Sequence, residues 1–275
     1  MKNYSELTKK LRDLLCKAGE IMLSAHGVEG ESDIDEKAGT ANFVTVFDVR
    51  VQEFLKAEIL KMLPEAYFIA EEQENDASSL DHDYCFIIDP IDGTTNFIHD
   101  YRHSSISLAM ISHGETVFGA VYDPYLGELF HATKGEGCYV NDQRVSVAAH
   151  PFSKAVVAFG TCPYYKDTLM EKTFDFAREL FLATADIRRC GSAALDLAYL
   201  AAGRNDVFFE FILSPWDYAA GALMVKEAGG CVSDMYGNPL SLSSPVSVLA
   251  SAGGIHDELL SRGGIYSKLY MSQFE

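Results

Sequence analysis

Residues 86–97 read Phe86-Ile87-Ile88-Asp89-Pro90-Ile91-Asp92-Gly93-Thr94-Thr95-Asn96-Phe97. Phe86-Ile87-Ile88 has the pattern of a buried strand, so Asp89 stands at its end. Pro90 lacks an N–H and is expected to stop the ladder, and Asp92 returns a second carboxylate within one turn. Two carboxylates about 4 Å apart repel by roughly 4 kcal/mol at an effective dielectric of 20. Beside a core strand that spacing is costly unless a cation lies between them. Gly93-Thr94-Thr95 then presents backbone N–H groups at the start of a helix, where an anion is favoured. An Asp-Gly hairpin turn accounts for Asp92 and Gly93 alone; the whole run points to a cation held next to an anion.

Working outward, the apolar run 66–70 ends in Glu71-Glu72. Adjacent acids after a strand are commonly solvated, but if the two core strands run parallel, their acids share one end of a sheet. Downstream, Trp216-Asp217 opens a helix that continues through Ala219, Ala220 and Gly221. Asp217 there is either an N-terminal cap or a further member of the acidic group. Oxygen donors without His or Cys fit Mg²⁺ or Mn²⁺, not zinc.

The rest of the chain supplies a frame. Leu7, Leu11, Leu14, Leu15, Ala18, Ile21 and Met22 recur at helical steps, with Gly27 as a stop. A polar stretch over 29–40 follows, and Phe47, Val51, Phe54, Leu55, Ile59 and Met62 resume the helical pattern until Pro64. From residue 66 the period shortens. Runs at 66–70, 84–88, 105–111, 117–122, 128–132 and 138–140, most separated by turn residues, predict a mostly antiparallel meander. Strands are expected at 154–160, 207–211, 231–233 and 246–251, and helices at 168–185, 192–202, 216–228 and from about 256. Two layered halves follow, 1–150 and 151–275, with the boundary near 149–153.

Composition excludes several functions. The 275 residues are 48% hydrophobic and 23% charged, values of a globular chain able to bury a large core. The net charge of −18 and the absence of a Lys/Arg cluster argue against nucleic acid as a partner. Cys16, Cys85, Cys138, Cys162, Cys190 and Cys231 include no Cys-x-x-Cys pair and read as buried free thiols of a reducing compartment. The N-terminus is too polar for a signal peptide, and no run reaches the roughly 18 apolar residues of a membrane span. A cytoplasmic protein with no membrane partner is expected.

Taken together, 89–97, Glu71-Glu72 and Trp216-Asp217 with its Ala-Ala-Gly resemble the inositol monophosphatase family. Lys37, Val44-Thr45 with Asp48, Arg188-x-x-Gly191-Ser192-Ala193-Ala194, Glu210 and Glu227-Ala228-Gly229-Gly230 extend the resemblance over almost the whole chain. Ala70 departs from it, since the family usually has Gly or Ser before the two acids. The fold implied is α/β (α+β), a layered αβαβα sandwich of the inositol monophosphatase and fructose-1,6-bisphosphatase type.

The resemblance also implies roles. Glu71, Asp89 and the Ile91 carbonyl would hold one Mg²⁺, and Asp89, Asp92 and Asp217 a second. A third, weaker ion would lean on Glu71 through waters. Gly93 and Thr94 N–H groups would bind phosphate; Asp48 and Thr94 would orient the attacking water. Glu71 would share in catalysis with them, and Asp92, Gly191, Ser192, Ala193, Glu210 and Lys37 would face the substrate, a phosphorylated polyol or sugar. Inhibition by lithium and a homodimer are implied in the same way. Thr95-Asn96 disfavours relatives acting on 3′-phosphoadenosine 5′-phosphate, which usually carry Lys-Glu after Asp-Gly-Thr. Fructose 1,6-bisphosphate, NADP or another sugar phosphate stays open as substrate, and so does a catalytically silent, metal-binding regulatory protein.

Overall fold

The computed structural model describes residues 4–25, 34–36, 43–148 and 150–261. Helices α1 (Ser5–Leu23) and α2 (Val46–Met62) follow the predicted periodicity, burying Leu11, Leu14, Leu15, Ala18 and Met22 on one and Val51, Leu55 and Ile59 on the other. Between them, β1 (Ile34–Glu36) and β2 (Phe43–Thr45) pair antiparallel, where the polar composition announced no strand.

A seven-stranded sheet comes next: β3 (Tyr67–Ala70), β4 (Cys85–Asp92), β5 (Ser105–Ser112), β6 (Glu115–Asp123), β7 (Glu128–Thr133), β8 (Gly137–Val140) and β9 (Gln143–Val145), in sequential order. All neighbours pair antiparallel except β3 and β4, which run parallel. Along β4 every residue is buried. Phe86 and Ile88 enter one core with α1 and α2, while Cys85 and Ile87 enter another, as the two-residue period of a strand covered on both faces requires. A short helix α3 (Thr94–Ile98) links β4 to β5.

The second sheet is built from β10 (Val156–Phe159), β11 (Asp186–Arg188), β12 (Val207–Leu213), β13 (Gly230–Ser233) and β14 (Val246–Ala252), ordered β11-β10-β12-β14-β13. Its helices are α4 (Lys166–Ala183), α5 (Ala193–Ala201) and α6 (Pro215–Glu227), with a last helical stretch over 256–261. Helices α5 and α6 share a core with both sheets, α1 and α2 cover the outer face of the first, and α4 covers that of the second. The result is the five-layer αβαβα sandwich. Among the described residues no helix is long and apolar enough to cross a membrane.

Two expectations are corrected. Pro90 does not end its strand: β4 continues to Asp92 through a bulge, with Asp89 opposite Ser107 and Asp92 opposite Ser105. The extra residue absorbs the missing proline donor and turns the chain. The three-residue strands β9 and β11 went unread because so few residues display no period.

Close approach of α6 to the first sheet depends on Gly119. A Cβ added there would lie 2.7 Å from the Ala220 carbonyl oxygen and 2.8 Å from its Cα. Because backbone cannot rotate away, Gly119→Ala is expected to cost about 1–3 kcal/mol and lower the melting temperature by several degrees. Gly254→Ala, with nothing within 4 Å of the added atom, is the control and should melt like the parent.

Candidate metal and phosphate site

Parallel pairing sets Ala70 beside Ile88, so β3 and β4 deliver Glu71 and Asp89 to the same sheet end. Glu71 N donates to Ile88 O at 3.2 Å. From α2, the buried Gln52 side chain clamps the next peptide, donating to Glu72 O at 3.1 Å and accepting from Glu72 N at 3.0 Å. Asn75 makes the same two-way contact with the Ala70 backbone, at 2.9 and 2.8 Å. In the bulge, Asp89 Oδ1 accepts from Ile91 N at 3.1 Å, and Thr94 Oγ1 donates to Ile91 O at 3.1 Å.

Asp217 sits at the third position of α6 in a capping box, its Oδ2 accepting from Ser214 N at 2.7 Å. Asp48 occupies the same position in α2, with Oδ2 accepting from Thr45 N at 2.8 Å. The cap and site readings of Asp217 are therefore compatible: one carboxylate oxygen caps and a second remains. Asp92 is held at the start of α5, where the Ser192 hydroxyl and Ala194 N, the latter at 2.8 Å, both donate to its Oδ2.

Asp89, Asp92 and Asp217 each offer an oxygen, all within 4.8 Å of one another. Glu71, Ile91, Gly93, Thr94, Gly191, Ser192, Ala193 and Glu210 line the same cleft of about 820 Å³. Burial raises the Asp89 carboxyl well above its usual range, and the charges of Glu71, Asp92, Asp217 and Asp48 push it further. Asp217 is raised by burial, then by Asp92 and Glu71. Asp92 reaches only about 6, because its bonds to Ser192 and the α5 N–H groups oppose burial. No cation is among the main influences on Asp89 or Asp217. Largely buried, all-oxygen and, among the described residues, with no cation among its main influences, this donor set fits a hard divalent cation.

Glu210, on β12, is also buried; its Oε1 accepts from Cys162 N at 3.0 Å, and burial pushes its carboxyl up to about 7. A Cβ at position 160 would lie 1.8 Å from Glu210 Oε2, so any side chain there would displace that carboxylate. Gly93 caps α3 with φ +86°, so Thr94 begins the helix at the cleft wall.

Not every expected residue faces the cleft. Asp48 is fully buried and absent from the described lining; burial raises its carboxyl to about 6, and its Oδ1 has no partner. The Ser192 hydroxyl is engaged with Asp92 and with Leu195 N. Glu227 accepts from Gly135 N and Gly137 N and holds the turn before β8. Lys37 lies outside the described residues. All six cysteines are free, three of them buried.

Sequence reasoning missed Arg189 and Tyr164, both on the cleft wall. Arg188 pairs with Asp186 at 2.5 Å, whereas Arg189 turns to donate to Thr161 Oγ1 at 2.8 Å. Arg189 directly follows β11, so the alternation of that strand, carried one residue further, is the signal that separates the two arginines. Burial and the charges of Glu71, Asp217, Asp89 and Asp92 raise the Tyr164 hydroxyl; no local pattern announces it.

The chain belongs to the inositol monophosphatase family, whose sequence profile matches residues 3–263. It is similar to the Nus factor SuhB of Pasteurella multocida, 39% identical over 247 residues that cover 90% of this chain and 91% of the relative. The fructose-1,6-bisphosphatase/inositol-1-monophosphatase of Thermotoga maritima is 37% identical, covering 90% and 91%. The crystal structure of the extragenic suppressor protein suhB from Bartonella henselae superposes with a TM-score of 0.84 at 34% identity, covering 94% of this chain and 98% of that one.

Proposed function

We propose that this chain is a Mg²⁺-dependent phosphomonoesterase, with Mn²⁺ as a substitute, that hydrolyses inositol monophosphate or a related polyol phosphate. The observation that carries the reading is the cluster of buried Asp89 and Asp92 with half-buried Asp217, opening on the Gly93-Thr94 helix start. Glu71, Asp89 and the Ile91 carbonyl would hold one ion, and Asp89, Asp92 and Asp217 another. Bound there, the ions would supply Lewis acidity that lowers the pKa of a water and stabilises charge on the phosphoryl and leaving oxygens. Gly93 and Thr94 N–H groups would orient the phosphate. Thr94 Oγ1 donates to Ile91 O and so keeps its lone pairs for a water O–H, while Asp48 Oδ1 has no other partner to accept from. Water is the nucleophile, so no Ser or Cys is required. Lithium inhibition, a homodimer and a cytoplasmic location belong to the same reading and rest on family membership.

Discrimination falls to groups that touch the alcohol. Glu210 faces the cleft and would accept hydrogen bonds from ring hydroxyls, worth about 1.5–3 kcal/mol when charge-assisted. The deciding assay is phosphate release with and without Mg²⁺ on inositol monophosphate, fructose 1,6-bisphosphate, NADP and an aryl phosphate. Glu210→Ala is expected to lower kcat/KM for inositol monophosphate by roughly ten- to a hundredfold and to spare the aryl phosphate. An equal fall on both assigns Glu210 to structure instead. The relatives named Nus factor SuhB favour a second, regulatory reading; it predicts metal binding without phosphate release on any of the four.

A further inference from the structure

On the wall of the carboxylate cleft, which Asp196 also lines, three side chains of different chemistry converge from separate segments. We propose that His103, Cys190 and Asp196 form a second binding site for one borderline-soft ion of the Zn²⁺ class. A ring nitrogen of His103, the Cys190 Sγ and a carboxylate oxygen of Asp196 all lie within 4.8 Å of one another. Tetrahedral zinc, with bonds of about 2.0–2.3 Å, sets its donors roughly 3.3–3.8 Å apart. Side-chain adjustments of about 1 Å close the site, leaving a fourth position for water.

The scaffold is preset. Asn96 Nδ2 donates to His103 O at 2.7 Å and to Cys190 O at 2.8 Å, so one amide fixes the backbone of two ligands. Asp196 lies in the first turn of α5, 2% exposed, with its carbonyl held by Asn205 Nδ2 at 3.1 Å. A second observation points to a ligand: His103 Nε2 is buried and has no hydrogen-bond partner. A dry, unpaired ring nitrogen is destabilising unless something else uses it. Arg189 is the cation that bears on Asp196, and the charges of Asp92 and Glu210 oppose it.

Donor type sorts the two sites. Thiolate and imidazole select zinc over Mg²⁺, and the all-carboxylate cluster does the reverse. Burial and the Asp196 charge raise the Cys190 thiol to about 11, so the ion must take the place of the thiol proton, which leaves to solvent. Once bound, the ion would tie Cys190 to α5 and to the segment leading into β5. The Gly191–Ala193 turn beside Asp92 would then lose freedom. None of this depends on the phosphatase reading, because the test reports binding.

Co²⁺ is the probe, added to the full chain in excess Mg²⁺ so that the carboxylate cluster is occupied. A thiolate-to-Co²⁺ charge-transfer band in the near ultraviolet should saturate at one equivalent per chain, and oxygen ligands alone produce none. Cys190→Ser should abolish the band, and His103→Gln should weaken Co²⁺ and Zn²⁺ binding by roughly ten- to a hundredfold. Near-ultraviolet circular dichroism of both variants checks that they fold, and either folded variant suffices. No band in the parent, or an unchanged band in Cys190→Ser or unchanged affinity in His103→Gln, overturns the proposal.

Discussion

Asp89→Asn is expected to lower Mg²⁺-dependent phosphate release by roughly 10³-fold while making the metal-free protein more stable. Both effects come from one carboxylate. Asp89 stands between Glu71, Asp92 and Asp217, feels all three charges, and is buried to 2% exposure. Each like-charged neighbour near 4 Å costs up to roughly 4 kcal/mol at an effective dielectric of 20. An amide of the same shape removes that repulsion and with it the ligand shared by both proposed ions. In a chain of this size each kcal/mol gained raises the melting temperature by about 2–4 °C. The measurement is a melt in chelator beside an activity assay in millimolar Mg²⁺. A variant both inactive and less stable than the parent in chelator would show that Asp89 serves the fold, not a cation.

The second large effect is a dependence of stability on pH that Mg²⁺ should reduce. Burial raises Asp48 and Asp92 to about 6 and Glu210 to about 7, and raises Asp89 and Asp217 well above their usual range. In the unfolded chain the same groups titrate near 4. The folded state therefore binds more protons than the unfolded state between these values, and stability falls as pH rises. The contribution is fully present below about pH 4 and is lost as pH climbs through 6–7 and beyond. A carboxyl moved from near 4 to about 6 contributes roughly 3 kcal/mol to that loss. The metal-free protein should thus be markedly less stable in urea at pH 7.5 than at pH 5. Mg²⁺ binds only the ionised cluster, so a hundredfold excess over its dissociation constant restores about 2.7 kcal/mol per site at the upper end. A metal-free stability that rises with pH over this window would contradict the arrangement.

These effects show how far a linear reading reaches. The helical stripes of α1 and α2, the buried run of β4 and the acids at the ends of β3 and β4 were legible because each is local. A 3.6- or two-residue period and a strand-ending carboxylate need no knowledge of distant chain. The family resemblance added Glu210 and Asp48, and it turned Asp217, already a candidate at a helix start, into an expected ligand. Less was legible where an element was too short to show a period, as at β9 and β11, and the loss of β11 hid Arg189 behind Arg188.

Convergence was decided elsewhere. Asp217 reaches Asp89 and Asp92 because α6 lies between the two sheets, against β6 at a point where Gly119 offers no side chain. Gln52, from α2, and Asn75, from the turn after β3, hold the backbone on either side of Glu71, and only the first of these needs a distant element. Asp48 and Asp217 look like ordinary helix caps until the tertiary structure shows what else their carboxylates confront. His103, Cys190 and Asp196 carry no motif at all and meet through one shared amide, that of Asn96, which bonds both His103 and Cys190. Periodicity and turn chemistry are properties of neighbours along the chain. The energy of a buried charge depends on what stands a few ångströms away, and only the stacking of the layers sets that.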